Sequence, residues 1–129
     1  NLLLYAGSSS LVMLNRYPYS SCHLLIAPRK HTGQLSELDP EESHLLFSTL
    51  RQSVDLLKQA VRPAGFNIGM NLGRVAGAGI TRHLHLHVVP RWQGDTNFMP
   101  IVAESMVLPE HLDRTYERLA PIFQSRFAS

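Results

Sequence analysis

Short apolar runs separated by turn residues dominate the first third of the chain. Leu2 to Tyr5 and Leu11 to Asn15 flank Ala6-Gly7-Ser8-Ser9-Ser10. That pattern predicts two antiparallel strands joined by a turn. Asn15 to Ser21 contains Pro18 and is predicted as loop. Cys22 to Ala27 predicts a third strand, ended by Pro28, with loop from Arg29 to Ser36. Asp39-Pro40-Glu41-Glu42 then announces a helix. Asp39 can accept from the free N–H groups, Pro40 suits the first turn, and the two acids favour the positive end of the helix dipole. Leu45, Leu46, Leu50, Val54, Leu57 and Val61 recur at helical spacing until Pro63. Phe66 to Leu72 predicts a fourth strand and Gly73 to Gly79 a glycine- and alanine-rich loop. A strand from His83 to Val89 follows, ended by Pro90, then loop from Arg91 to Pro100 and a short strand at Ile101-Val102. Pro109-Glu110 opens a last helix carrying Leu112, Tyr116, Leu119, Ile122 and Phe123. The order predicts an α+β fold: an antiparallel sheet with two helices against it.

Composition narrows the class. A chain of 129 residues suits one domain, 1–129, around one core. It begins at Asn1 rather than Met, so an upstream segment is expected to be missing. The net charge is +2 and the pI about 9.0, without a run of Lys and Arg, so no nucleic-acid groove is expected. A single cysteine, Cys22, excludes an intrachain disulfide and a multi-cysteine metal site; in its apolar run it reads as a small buried hydrophobe. No apolar stretch is long enough to span a membrane and no signal peptide is visible, so a cytoplasmic protein without membrane contact is expected.

The chemistry concentrates in His83-Leu84-His85-Leu86-His87-Val88-Val89. On a strand, residues at i, i+2 and i+4 share one face, so the imidazoles form a row with neighbours roughly 6.5–7 Å apart. Leu84, Leu86 and Val88 face the core. Imidazole titrates near neutrality, so the row can supply metal ligands, hydrogen bonds, or a nucleophile with acid and base. A single metal is disfavoured: the outer two histidines are about 13 Å apart on a straight strand, whereas ligands sit about 2 Å from an ion. Purely structural histidines would each need two buried nitrogens satisfied. A neutral imidazole whose other nitrogen is oriented by a hydrogen bond can attack phosphorus, with neighbours assisting the leaving group. The preceding loop, Gly73-Arg74-Val75-Ala76-Gly77-Ala78-Gly79, can bring backbone N–H groups close to phosphate.

The row resembles the histidine triad motif, His-φ-His-φ-His-φ-φ, of the HIT superfamily. Asn15-Arg16-Tyr17-Pro18-Tyr19, His23-Leu24-Leu25-Ile26-Ala27-Pro28 and Leu38-Asp39-Pro40-Glu41-Glu42 are similar to the family as well. Gly65-Phe66-Asn67-Ile68-Gly69-Met70-Asn71 and Pro90-Arg91-Trp92-Gln93-Gly94-Asp95-Thr96-Asn97-Phe98 resemble the branch that cleaves dinucleoside polyphosphates, particularly diadenosine tetraphosphate phosphorylases and hydrolases. The resemblance implies a HIT-like fold with a roughly five-stranded antiparallel sheet and a homodimer. It implies that His85 forms a nucleotidyl-histidine intermediate, that His87 contacts the transferred phosphate, that His83 holds the hydrogen-bond network and that His23 supports His83. Asn15 is expected at the ribose, Met13 and Leu25 as walls of the nucleoside pocket, Asn71 with the Ala78 and Gly79 backbone at the phosphates, and Trp92 near the substrate. No metal or cofactor held by the protein is expected; magnesium is expected only with the substrate phosphates. Ser21 and Cys22 replace the Asn or Pro and the Gly frequent before the fourth histidine, and Gly79-Ile80 replaces a side-chain phosphate contact. His87, where some relatives carry Gln, leans toward hydrolysis, yet some phosphorylases keep it. A nucleoside phosphoramidate hydrolase and a nucleotide-binding sensor with little turnover are the alternatives.

Overall fold

The structure, a computed structural model, describes residues 2–16, 21–77, 83–94 and 109–127. Five strands form one antiparallel sheet in the order β1-β2-β3-β5-β4. They are β1 (Leu3–Ala6), β2 (Ser10–Leu14), β3 (Leu24–Pro28), β4 (Gly65–Met70) and β5 (Leu86–Arg91). Helices α1 (Pro40–Val61) and α2 (Pro109–Phe127) complete the α+β architecture that the sequence predicts. Single 3₁₀ turns lie at Leu35–Glu37 and Arg74–Ala76. The short strand expected at Ile101-Val102 lies outside the described residues. Among the described residues, no helix is long and apolar enough to cross a membrane.

Alternation along the strands sorts the sheet into two faces. Val12, Leu14, Leu24, Ile26 and Val88 are buried on one. They join a core with Leu46, Leu50, Leu56 and Leu57 of α1 and Leu119, Ala120 and Phe123 of α2. Each such large side chain contributes roughly 1.5–3 kcal/mol by leaving water. Cys22 belongs to this core, and burial pushes its thiol pKa up. The start of α1 is held by a reciprocal cap: Asp39 Oδ1 accepts from Glu42 N at 2.7 Å, and Glu42 Oε1 accepts from Asp39 N at 2.9 Å. Arg62, with φ of 49°, turns the chain out of the helix before Pro63.

Two elements depart from the sequence expectation, and both involve proline. Pro28 ends inside β3 and Pro90 lies inside β5 rather than after it. The β3–β5 ladder covers only Leu24↔Val88, Leu25↔His87 and Ile26↔Leu86. Alternation points the backbone groups of Pro28 and Pro90 toward the flanks of that ladder, where no strand partner asks for an N–H. The short ladder also limits the histidine row. β5 begins at Leu86, so only His87 lies on the strand, and His83 and His85 stand in the segment before it. Leu84 N donates to Thr32 O at 2.8 Å, tying that segment to the loop after β3.

Two buried hydroxyls on α1 have opposite fates. Thr49 donates to Leu45 O at 2.9 Å, so Ser10 is left to donate to Thr49 Oγ1 at 2.8 Å, joining β2 to the helix. Ser53 Oγ is fully buried with no hydrogen-bond partner among the described residues. Thr49→Val is therefore expected to destabilise the fold by about 1–3 kcal/mol, because the Ser10 hydroxyl loses its acceptor. Ser53→Ala is expected to stabilise it by about 1 kcal/mol, removing an orphan hydroxyl and adding helix propensity. Urea midpoints of the two variants check both signs.

Candidate active site

The second face of the sheet carries the site. Strand pairing lines up Leu3↔Met13, Met13↔Leu25, Leu25↔His87 and His87↔Gly69 in a row across the sheet. At one end of this row a groove of about 460 Å³ is lined by Leu2, Leu3, Met13, Leu14, Asn15, Arg16 and Leu25. Its walls are apolar and its polar groups cluster at the end of β2, where Asn15 N donates to His23 O at 2.9 Å. The arrangement suits a flat apolar ring with a polar attachment. Met13, Leu25 and Asn15 were expected from sequence; Leu2, Leu3, Leu14 and Arg16 were not. Alternation places Leu3 and Tyr5 on one face, but an irregularity between these two residues sets the register of β1, and sequence does not reveal it.

Four imidazoles and two carbonyls form the centre. His85 Nδ1 lies 2.9 Å from His83 O, and a carbonyl only accepts, so Nδ1 carries the hydrogen and Nε2 keeps its lone pair. His83 Nε2 in turn donates to Pro28 O at 2.7 Å. The carbonyl of Pro28 is available because the β3–β5 ladder has ended there. His85 and His87 stand edge to face with ring centroids 4.9 Å apart. His23 Nε2 and His87 Nδ1 are 2.9 Å apart, and Asn15 Nδ2 lies 3.3 Å from His23 Nδ1. The described hydrogen bond thus joins His23 to His87 rather than to His83, which corrects the expected partner. The cause is register: Leu24 pairs with Val88, which sets His23 beside the β5 strand proper. His83 instead meets His31, an exposed residue, with ring centroids 4.9 Å apart.

Cys22 positions His23 through its backbone. Its φ of 62° lies in the left-handed region, where a non-glycine residue costs roughly 1–2 kcal/mol. His23 is fully buried. Burial, and then the nearby His87 and His85, lower its pKa to about 4. Burial and then His85 also lower that of His87. Both imidazoles are neutral near pH 7, so each carries one N–H and one acceptor nitrogen.

The remaining expected residues are placed unevenly. Asn71 directly follows β4, whose last paired position is Met70↔Leu86. An added side chain at Gly77, whose φ is 96°, would come within 3.6 Å of Asn71 Nδ2, so the loop folds back onto that residue. Ala78 and Gly79 lie outside the described residues. Trp92 is tied to the C-terminal end of α1. It follows β5, five residues and about 16 Å along the chain from His87, and its indole N–H donates to Val61 O at 3.3 Å. His44 and His111 are exposed on the helices. Among the described residues, no group of three His, Cys, Asp or Glu is placed to hold a metal ion.

This constellation belongs to a known class. The model of the HIT domain matches residues 1–94, and the chain belongs to that family. The AP-4-A phosphorylase of Mycobacterium tuberculosis (strain ATCC 25618 / H37Rv) is 40% identical over 119 residues, which make up 92% of this chain and 61% of that protein. The chain thus spans about three-fifths of that relative's length. The asymmetrical bis(5'-nucleosyl)-tetraphosphatase of Schizosaccharomyces pombe is 25% identical over 92% of this chain and 62% of its own. A hypothetical histidine triad nucleotide-binding protein from Sulfolobus tokodaii has the same fold, with a TM-score of 0.79 at 26% identity, over 96% of this chain and 84% of that one.

The buried histidine predicts an acid sensitivity. The folded pKa of His23, about 4, lies below its ordinary value of 6.5. Between these values the unfolded chain binds the proton and the folded chain does not. Stability therefore falls as the pH drops from 6.5 toward 4, by up to about 1.4 kcal/mol per pH unit for one proton. His87 adds to the same trend. Urea unfolding between pH values of about 7.5 and 5 is expected to show the loss, with a shallower slope in His23→Gln.

Proposed function

We propose that the protein cleaves dinucleoside polyphosphates, with diadenosine tetraphosphate as the preferred substrate, through a nucleotide held covalently on His85. One observation carries the reading: His85 Nδ1 is engaged by the His83 carbonyl, which leaves Nε2 as a fixed lone pair beside His87. The apolar groove ending at Asn15 takes a nucleoside, with the amide at its ribose. His85 Nε2 attacks the α-phosphorus, a P–N bond forms, and the bond to the polyphosphate oxygen breaks. The leaving nucleotide takes that electron pair, and His87 supplies a hydrogen bond to the phosphate and leaving oxygen. Asn71 and the loop through Ala78 and Gly79 receive the phosphates. Magnesium enters with the substrate phosphates rather than on a protein site.

The acceptor in the second step is inorganic phosphate. The 40% identity to an AP-4-A phosphorylase, against 25% to a tetraphosphatase, supports that choice. Phosphate oxygen attacks the phosphorus, the P–N bond breaks, and His85 is restored. Diadenosine tetraphosphate is expected to yield ATP plus ADP only when phosphate is supplied. ATP plus AMP irrespective of phosphate would replace phosphorolysis with hydrolysis. His85→Asn is expected to keep nucleotide affinity while turnover falls by about a thousandfold or more. Retained turnover in that variant would overturn covalent catalysis on His85.

A homodimer, acting in the cytoplasm where nucleotides are handled, completes the proposal. β4 is an outer strand, and Ile68 on it is 46% exposed. An open strand edge with an apolar side chain is a pairing surface. Sedimentation is expected to give a dimer for the natural chain and a monomer for Ile68→Lys.

A further inference from the structure

The contacts among Asn15, His23 and His87 admit only one arrangement of hydrogens once the amide orientation is given. Asn15 Nδ2 faces His23 Nδ1 at 3.3 Å, and an amide nitrogen only donates, so His23 Nδ1 accepts. A neutral imidazole has one N–H, and in His23 it is therefore on Nε2. That nitrogen lies 2.9 Å from His87 Nδ1 and donates to it. His87 Nδ1 is then the acceptor, and the single hydrogen of a neutral His87 is on Nε2. Burial keeps both rings below their ordinary pKa, so the neutral forms govern near pH 7.

We propose that Asn15 is a positioning residue for His87: its amide, relayed through His23, makes Nε2 the protonated nitrogen of His87. The opposite amide orientation would reverse every step. Asn15 Oδ1 would accept from His23 Nδ1, His23 Nε2 would accept from His87 Nδ1, and His87 Nε2 would present a lone pair. A lone pair repels a phosphate oxygen, whereas an N–H stabilises it. The backbone keeps the Asn15 side chain beside the His23 ring, because Asn15 N donates to His23 O at 2.9 Å. Asn15 also lines the apolar groove, so the relay starts at the nucleoside end of the site and ends beside His85. Its catalytic consequence rests on the reading of His87 as the donor to the transferred phosphate; the proton arrangement does not.

The test is a long-range proton–nitrogen correlation spectrum of the uniformly ¹⁵N-labelled protein near pH 7, which reports the tautomer of each imidazole. In the natural chain, His23 and His87 are expected as Nε2–H forms. An Nδ1–H form at His87 would overturn the proposal. In Asn15→Leu, the His87 nitrogens are expected to shift to averaged values or to the Nδ1–H form; an unchanged Nε2–H form would also overturn it. If that variant fails to fold, the spectrum of the natural chain decides alone. With diadenosine tetraphosphate, kcat of Asn15→Leu at saturating substrate is expected to fall roughly tenfold or more. The spectrum needs no turnover, so a correct tautomer in a protein that does not cleave the substrate would sink the functional reading and leave the relay standing.

Discussion

Three paired positions between β3 and β5 hold the two halves of the molecule in register. Leu24↔Val88, Leu25↔His87 and Ile26↔Leu86 join the N-terminal hairpin to the strand that carries the histidines. One face of this ladder is sealed by α1 and α2, so Leu24, Ile26 and Val88 cannot be moved to the other side. A slip of one residue would turn Val88 outward and His87 into the core. Hydrophobic burial on one face thereby determines which imidazole meets which partner on the other.

The shortness of that ladder matters as much as its register. Beyond Ile26, β3 stays paired with β2 but has no partner in β5, and on that side the carbonyl of Pro28 receives His83 Nε2 instead. Before Leu86 the chain is released from strand geometry, and His85 can turn its Nδ1 onto the His83 carbonyl. A fully extended row would have kept the imidazoles at strand spacing. The observed segment brings the His85 and His87 rings to 4.9 Å. Pro28 lies just past the end of the ladder nearest His83 and His85, where no ladder bond is lost.

The apolar groove and the imidazole cluster share groups across a few residues. Asn15 ends β2, lines the groove and touches His23. Cys22, held in the left-handed region, delivers His23 to the same place. These contacts join the hairpin that shapes the groove to the strand that bears His87. Their cost is concentrated locally: a strained non-glycine residue and a fully buried imidazole, both adjacent to the site and offset by the core beneath.

The fold class, both helices and most strand positions were legible in the chain, because hydrophobic alternation and capping residues such as Asp39 act over a few residues. So was the histidine cluster, whose residue types permit little else so densely. The groove walls Met13 and Leu25 followed from a resemblance to a family, and strand pairing then put them side by side. Only the tertiary structure decided that His23 meets His87, that His83 meets Pro28, and that Leu2, Leu3, Leu14 and Arg16 join the groove. Those contacts depend on register, on where a ladder stops and on an irregularity in β1. Each is set by packing between segments far apart in sequence, and a local pattern of residues carries no record of it.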